Sequence, residues 1–271
     1  MNGAPDLTLF SMFMSGLLLL IPLFLVWYFK MGIFNSLLIS TFRMAIQLFL
    51  IGFFLEYLFK YNQFIINVLW FTLMITVAVF SVIKNSNLNI KHFFLPVFVS
   101  FALANFFVVL YFNTFIVQLD YIFDAKYIIA IGGMLLGNSL RANVVGLGDF
   151  YKSIHKEENL YFYKLALGAN KFEALLPFAK KSFVAAINPT LASMATMGIV
   201  SLPGMMTGQI LGGSVPLVAI KYQIAIMIAI LASTVLSIGM SIVLTVKYSF
   251  EKSGVMKKNI VKQNYEKKFT T

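Results

Sequence analysis

Residues 201–216 read S-L-P-G-M-M-T-G-Q-I-L-G-G-S-V-P. Two prolines, four glycines and a glutamine stand here between long apolar runs. Pro203 and Pro216 bracket twelve residues, too few for a helix that needs about 20 to cross the hydrocarbon core. The segment is therefore expected to be a broken helix end, a re-entrant segment or an external turn, not a crossing. Gly204, Gly208 and Gly212 are four apart and share one face if the segment is helical. Such small-xxx-small faces let helices pack closely. The competing reading is a discontinuous helix lining a cavity, since non-helical backbone at membrane depth survives only when buried in protein or facing water. Gln209 favours the cavity, because a lone amide in lipid is costly.

Working outward, the 271 residues are 60% apolar and only 11% charged, with a mean hydropathy of +0.86. Soluble domains run nearer half apolar and a quarter charged, so the composition indicates an all-α polytopic membrane protein. Seven apolar stretches are long enough to span, about 8–29, 34–59, 64–83, 93–112, 126–147, 182–202 and 219–248. The first lacks a basic leader region, Asp6 being the one charge before Lys30. It reads as a retained span and not a cleaved signal. The chain has no cysteine, which excludes disulfides, thiolate metal sites and cysteine nucleophiles.

The net charge of +11 is concentrated. Residues 247–271 hold seven lysines against two glutamates, and residues 141–181 hold seven basic residues against four acidic. Basic segments flanking spans follow the positive-inside rule, which fits better than nucleic-acid binding. Lys30, then Lys84 and Lys91, then 148–181, then the tail fall on one side of a seven-span chain. This predicts an outside N-terminus and a cytoplasmic C-terminus. The organisation expected is a single membrane domain over 1–271, with a cytoplasmic loop at 148–181 and a basic cytoplasmic tail at 249–271.

The loop contains E-E-N-L-Y-F-Y-K-L-A-L-G-A-N-K-F-E-A-L-L-P at 157–177. A helix is predicted through 157–167, with Glu157 and Glu158 at the positive end of its dipole. Gly168 fits the position just past that helix, where a left-handed backbone is tolerated. Asn170 and Glu173 have capping-box spacing for a second helix. Its apolar stripe is predicted as Phe172, Leu175, Leu176, Ala179 and Phe183, and Pro177 is expected to kink or restart it. Helix, glycine turn, helix is compatible with an amphipathic pair on the membrane surface or with a docking element for a soluble partner.

A-L-G-A-N at 166–170 resembles the coupling segment of ABC-transporter permeases. V-S-L-P-G-M-M-T-G-Q-I-L-G-G at 200–213, followed by P-L-V-A-I-K-Y-Q-I at 216–224, resembles the signature of the FetB-type permeases. These are membrane subunits of an iron-export ABC transporter, related to plant permeases linked to aluminium tolerance. G-G-M-L-L-G-N-S-L-R-A-N at 132–143 is similar to a further block of that family, so three ordered blocks cover about 130–225. The aromatic N-L-Y-F-Y-K at 159–164 departs from it, since the resemblance implies a more acidic, alanine-rich segment.

The resemblance implies a permease of the plasma or inner membrane that works as two copies with two separate ATP-binding subunits. Coupling residues would be Glu158, Ala166, Gly168, Ala169, Asn170 and Glu173. The chain has no G-x-x-x-x-G-K-[ST], so ATP would be bound by the partner and this chain would carry no cofactor. Arg43 and Gln47 share a face at i and i+4. Arg43 lies roughly 14 Å into its span at 1.5 Å per residue, and an intramembrane arginine is a functional candidate. Together with Asn138, Ser139, Asn188, Gly204, Met205, Met206, Gly208 and Gln209 these are the expected path residues. Arg141 reads as an interface anchor. Asp120 and Asp124 are again i and i+4, on an outer loop, suited to solvated charge or to a cation.

Fourteen methionines and two histidines yield no ligand spacing, and iron(II) prefers nitrogen and oxygen donors to thioether. Iron thus comes from the resemblance, and no metal residues are assigned. A stand-alone ion-coupled transporter is the alternative, since broken helices suit it equally. An intramembrane enzyme ranks last, because the spans lack a set of groups that would supply chemistry.

Overall fold

The structure is a computed structural model that describes residues 6–251, 254–257 and 260. The tail lysines Lys252, Lys258, Lys262, Lys267 and Lys268 lie outside the described residues. Ten α-helices follow one another: α1 (Leu9–Leu17), α2 (Leu20–Tyr28), α3 (Phe34–Tyr61), α4 (Phe64–Asn85), α5 (Ile90–Tyr111), α6 (Ala125–Lys156), α7 (Glu158–Ala166), α8 (Lys171–Thr196), α9 (Gly204–Leu211) and α10 (Pro216–Ser249). A π-helical turn, Phe112–Ile116, extends α5. The all-α expectation holds.

Among the described residues six helical segments are long and apolar enough to cross a membrane: Leu9–Tyr28, Phe34–Tyr61, Phe64–Asn85, Ile90–Ile116, Ala125–Lys156 and Pro216–Ser249. The expected span at 182–202 is absent from that set. It forms the second part of α8, whose mean hydropathy is lowered by three lysines, two prolines and Asn188.

The chain divides into two compact units, 1–62 with 204–219, and 63–203 with 220–271. In the first unit, α1 and α2 meet at residues 18–19 and act as one apolar rod, and α2 also packs on α3. Their side chains are nearly all exposed, as suits a surface solvated by lipid and not by water.

The second unit has a packed core. α6 is its axis, with α4, α5 and α8 against it. Helix packing at close range requires small residues, and α6 supplies them. Gly132 lies against the ring of Phe71 on α4. At Gly146 a methyl group would sit 2.6 Å from Ile238 Cδ1 of α10 and 3.1 Å from Ala186 Cβ of α8. Three helices therefore converge on one missing side chain. Ser182 on α8 donates to Asp149 Oδ2 on α6 at 2.6 Å. With the Ala186–Gly146 approach, this makes α8 antiparallel to α6.

Two ends of this unit can be told apart by contacts. At one end, Asn67 donates to Phe123 O at 2.9 Å and Asn113 to Ile122 O at 2.8 Å, pinning the 117–124 loop. At the other end lie the α4–α5 loop, α7 and the chain after Ser249, where Asn89 N–H donates to Ile260 O at 3.0 Å. Of the basic segments that the sequence groups on one side, the described parts of the second unit, Lys84 and Lys91 beside the α4–α5 loop, α7 and Lys257, thus lie at this end. Asp120 and Asp124 are not on a helix, so their spacing gives them no common face. Asp124 instead caps α6 by accepting from Lys126 N–H at 2.9 Å.

Candidate functional site

The first candidate element is the α7–α8 elbow. Gly168 takes φ +91°, a conformation that glycine alone adopts without strain. Gly168 N–H donates to Leu165 O at 3.0 Å and Ala169 N–H to Lys164 O at 3.1 Å. This pair is a Schellman termination. The next helix starts two residues on. Asn170 Oδ1 accepts from Glu173 N–H at 3.0 Å, and Asn170 N–H donates to Glu173 Oε2 at 2.8 Å. The predicted capping box is present in both directions. The Lys164 ammonium lies 5.8 Å above the Phe178 ring, bracing the two helices by a cation–π contact. Glu158 opens α7 in its first turn, and Ala166 closes it.

Two expectations for α8 are narrowed. The helix does not restart at Pro177, which lies inside one continuous α8 along with Pro189. Its buried face is Ala174, Leu175, Phe178, Ser182, Ala186 and Ile187; of the expected stripe Leu175 is buried, Ala179 and Phe183 are half-buried, and Phe172 and Leu176 are exposed. Close approach to α6 puts the small residues Ser182 and Ala186 on the inner face, and that rotates the face away from the most apolar stripe. Phe172 is left 61% exposed and Leu167 at the turn 70%, with Leu160, Tyr163 and Leu176 also exposed. The elbow thus offers an apolar tip framed by Glu158, Lys171 and Glu173.

The second element is the 197–216 break. Gly198 takes φ +86° in a tight turn where its N–H donates to Ser201 O at 2.9 Å. Then comes α9, eight residues and about 12 Å long, which cannot cross. It ends in a second Schellman pair, Gly213 N–H to Ile210 O at 3.0 Å and Ser214 N–H to Gln209 O at 2.9 Å, with Gly213 at φ +97°. Within its own unit, a methyl on Gly204 or Gly208 meets no atom inside 4 Å, so close packing does not account for those two glycines there. Met205, Met206 and Gln209 are half-buried, and Gln209 Oε1 is a buried acceptor without a hydrogen-bond partner among the described residues. Arg43 and Gln47, in the same unit, line an exposed groove on α3 with Leu38, Ile39, Phe42 and Ile46.

The third element is a polar seam between α6 and α10. Ser139 is paired with Ser233 at 3.2 Å. Asn143 Nδ2 donates to Ser237 Oγ at 2.9 Å, and Tyr151 and Ser249 hydroxyls lie 2.9 Å apart. All six are buried. Asn143 Oδ1, Thr234 Oγ1 and Ser241 Oγ are buried without hydrogen-bond partners among the described residues. Of the expected path residues only Ser139 joins this seam. Asn138 bonds its own helix, donating to Met134 O at 2.8 Å, and Asn188 is exposed on α8. The α10 partners were not anticipated, although Ser233, Ser237, Ser241, Thr245 and Ser249 recur every fourth residue, a periodicity that places them on one helical face. Among the described residues no group of three or more histidine, aspartate or glutamate side chains is arranged to hold a metal ion.

A helical protein with six apolar spans, a capped elbow and an intramembrane polar seam is a multi-pass membrane protein. The chain belongs to the uncharacterised protein family UPF0014, whose profile matches residues 9–250. The UPF0014 membrane protein YjkA of Bacillus subtilis is 32% identical over 250 residues, covering 92% of this chain and 98% of that protein. Protein ALUMINUM SENSITIVE 3 of Arabidopsis thaliana is 42% identical over 117 residues, 43% of each chain. The probable iron export permease protein FetB of Escherichia coli is 30% identical over 211 residues, 77% of this chain and 79% of that protein. The family read from residues 130–225 is therefore the right one. No solved structure matches the chain significantly.

Proposed function

We propose that this chain is the membrane-spanning permease subunit of an ABC transporter. It exports a metal ion, iron foremost, or a small solute, and a separate ATP-binding subunit drives it. Two permease copies, each one membrane domain, work with two ATPases in the plasma or inner membrane. The N-terminus is outside and the C-terminus cytoplasmic, and α8 makes the seventh crossing.

One observation carries this reading. The elbow is rigid at both joints, by a Schellman termination and a capping box, while its tip is apolar and exposed. A surface helix solvated by headgroups needs no such fixed angle; a lever pressed by another protein does. The names of FetB and of ALUMINUM SENSITIVE 3 support a metal as cargo.

The test is co-expression with a candidate ABC ATPase subunit of the same genome, purification into lipid, and assay of ATP turnover and ATP-driven efflux of iron(II). Co-purification with efflux supports the proposal. A stand-alone transporter remains the second reading, favoured by the discontinuous 197–216 segment. It would move substrate on an ion gradient in vesicles that hold this chain alone.

A further inference from the structure

The chain does not leave the molecule where α10 ends. Lys257 N–H donates to Ser249 O at 2.9 Å, Glu251 N–H to Val255 O at 2.9 Å, and Gly254 N–H to Glu251 O at 3.1 Å. Phe250 and Met256 pair antiparallel. The described residues of 250–257 thus form a hairpin folded back on the end of α10.

Gly254 is fitted to α7. Gly254 has φ +83°, and a methyl there would sit 3.1 Å from Leu165 Cδ1 and 3.4 Å from Tyr161 Oη. The Tyr161 hydroxyl donates to Gly254 O at 2.7 Å, and its ring centroid lies 5.9 Å from that of Phe250. Tyr161 is 1% exposed. Burial pushes its phenol pKa up, so the hydroxyl keeps the proton it donates. On the other flank of α10, Tyr151 meets Ser249. Beyond the hairpin, buried Ile260 accepts from Asn89 N–H just before α5.

We infer that this hairpin is a clamp that ties the elbow to the end of α10, with Tyr161 as the positioning residue. α7 has two sides: Leu160 and Tyr163 face out, whereas Tyr161 and Leu165 are held by the hairpin. A load applied to the outer side reaches α10 through Tyr161 and Gly254, as well as α8 through Gly168. The inference rests on the elbow being the ATPase-driven lever. It also gives a purpose to the aromatic 159–164 segment, which departs from what the resemblance implies.

The native chain has no cysteine, so spin labels can be placed on Tyr163→Cys and Val255→Cys, both at exposed positions. The full chain in lipid is expected to give one narrow distance distribution, and Tyr161→Phe a broad one. In the complex with its ATPase, Tyr161→Phe and a stop after Ser249 are expected to keep co-purification and ATP turnover. One lost buried hydrogen bond shifts the ratio of clamped to open elbow roughly fivefold, and transport per ATP should fall with it for Tyr161→Phe. A Tyr161→Phe distribution as narrow as wild type, or an unchanged transport-per-ATP ratio, overturns the clamp. Absence of any ATPase in the wild-type preparation overturns the lever reading instead, and the label distances then still decide the clamp by themselves.

Discussion

Gly168 and Gly146 are both irreplaceable, for opposite reasons. Gly168 is open on all sides, with nothing within 4 Å of a methyl there; its constraint is the left-handed backbone. Valine at Gly168 places a β-branched residue where L-residues lose about 1–2 kcal/mol. Gly168→Val is expected to leave insertion intact and to lower ATP-coupled transport, measured beside an unchanged melting temperature of the membrane core. Gly146 has ordinary helical backbone and no room. Valine there must push Ile238 and Ala186 apart, and overpacking of this kind costs about 1–3 kcal/mol. Its melting temperature in detergent should therefore fall while the elbow stays formed. Gly168 was legible in the sequence because a helix stop is a local signal. Gly146 was not, since its partners lie 40 and 92 positions away and close approach leaves no mark in either neighbourhood.

The same division holds for elements. Caps, turn glycines and long apolar spans could be read directly, because each is fixed by a few adjacent residues. The inner face of α8 could not. Periodicity selects the most apolar stripe, whereas the face that packs is set by the small residues Ser182 and Ala186, which let α8 approach α6 at Asp149 and Gly146, so Phe172 and Leu176 turn outward. The hydroxyl ladder of α10 lay in plain view as five residues four apart. Its meaning depends on α6 presenting Ser139, Asn143 and Tyr151 at matching heights. Intramembrane hydrogen bonds average about 0.6 kcal/mol, so a double-mutant cycle on Asn143→Ala and Ser237→Ala should give a coupling energy near that size. Ser241→Ala is the control. Its hydroxyl has no hydrogen-bond partner among the described residues, so its loss should leave the melting temperature unchanged or raise it slightly. Equal losses for Ser237→Ala and Ser241→Ala would show that the seam is held by packing and not by its hydrogen bonds.

Across the whole molecule, the expected topology rests on α8, the one long helix whose composition falls short of the other six. Its lysines and Asn188 lower its hydropathy, yet it runs antiparallel to α6, and Gln223 near the start of α10 reaches Met197 just past its end at 3.9 Å. Neighbours can shelter a polar helix that lipid alone would reject, because only the exposed side needs to be apolar. The absence of native cysteine makes this directly measurable with single substitutions and a membrane-impermeant maleimide. Tyr121→Cys, in the 117–124 loop, should be labelled on intact cells. Tyr163→Cys on the elbow should be labelled only after permeabilisation. Ser214→Cys, beyond α9, decides the count. If α8 crosses, Ser214 shares the outer side with Tyr121 and is labelled on intact cells. If Ser214 instead labels only with Tyr163 after permeabilisation, α8 does not cross and the seven-span reading fails.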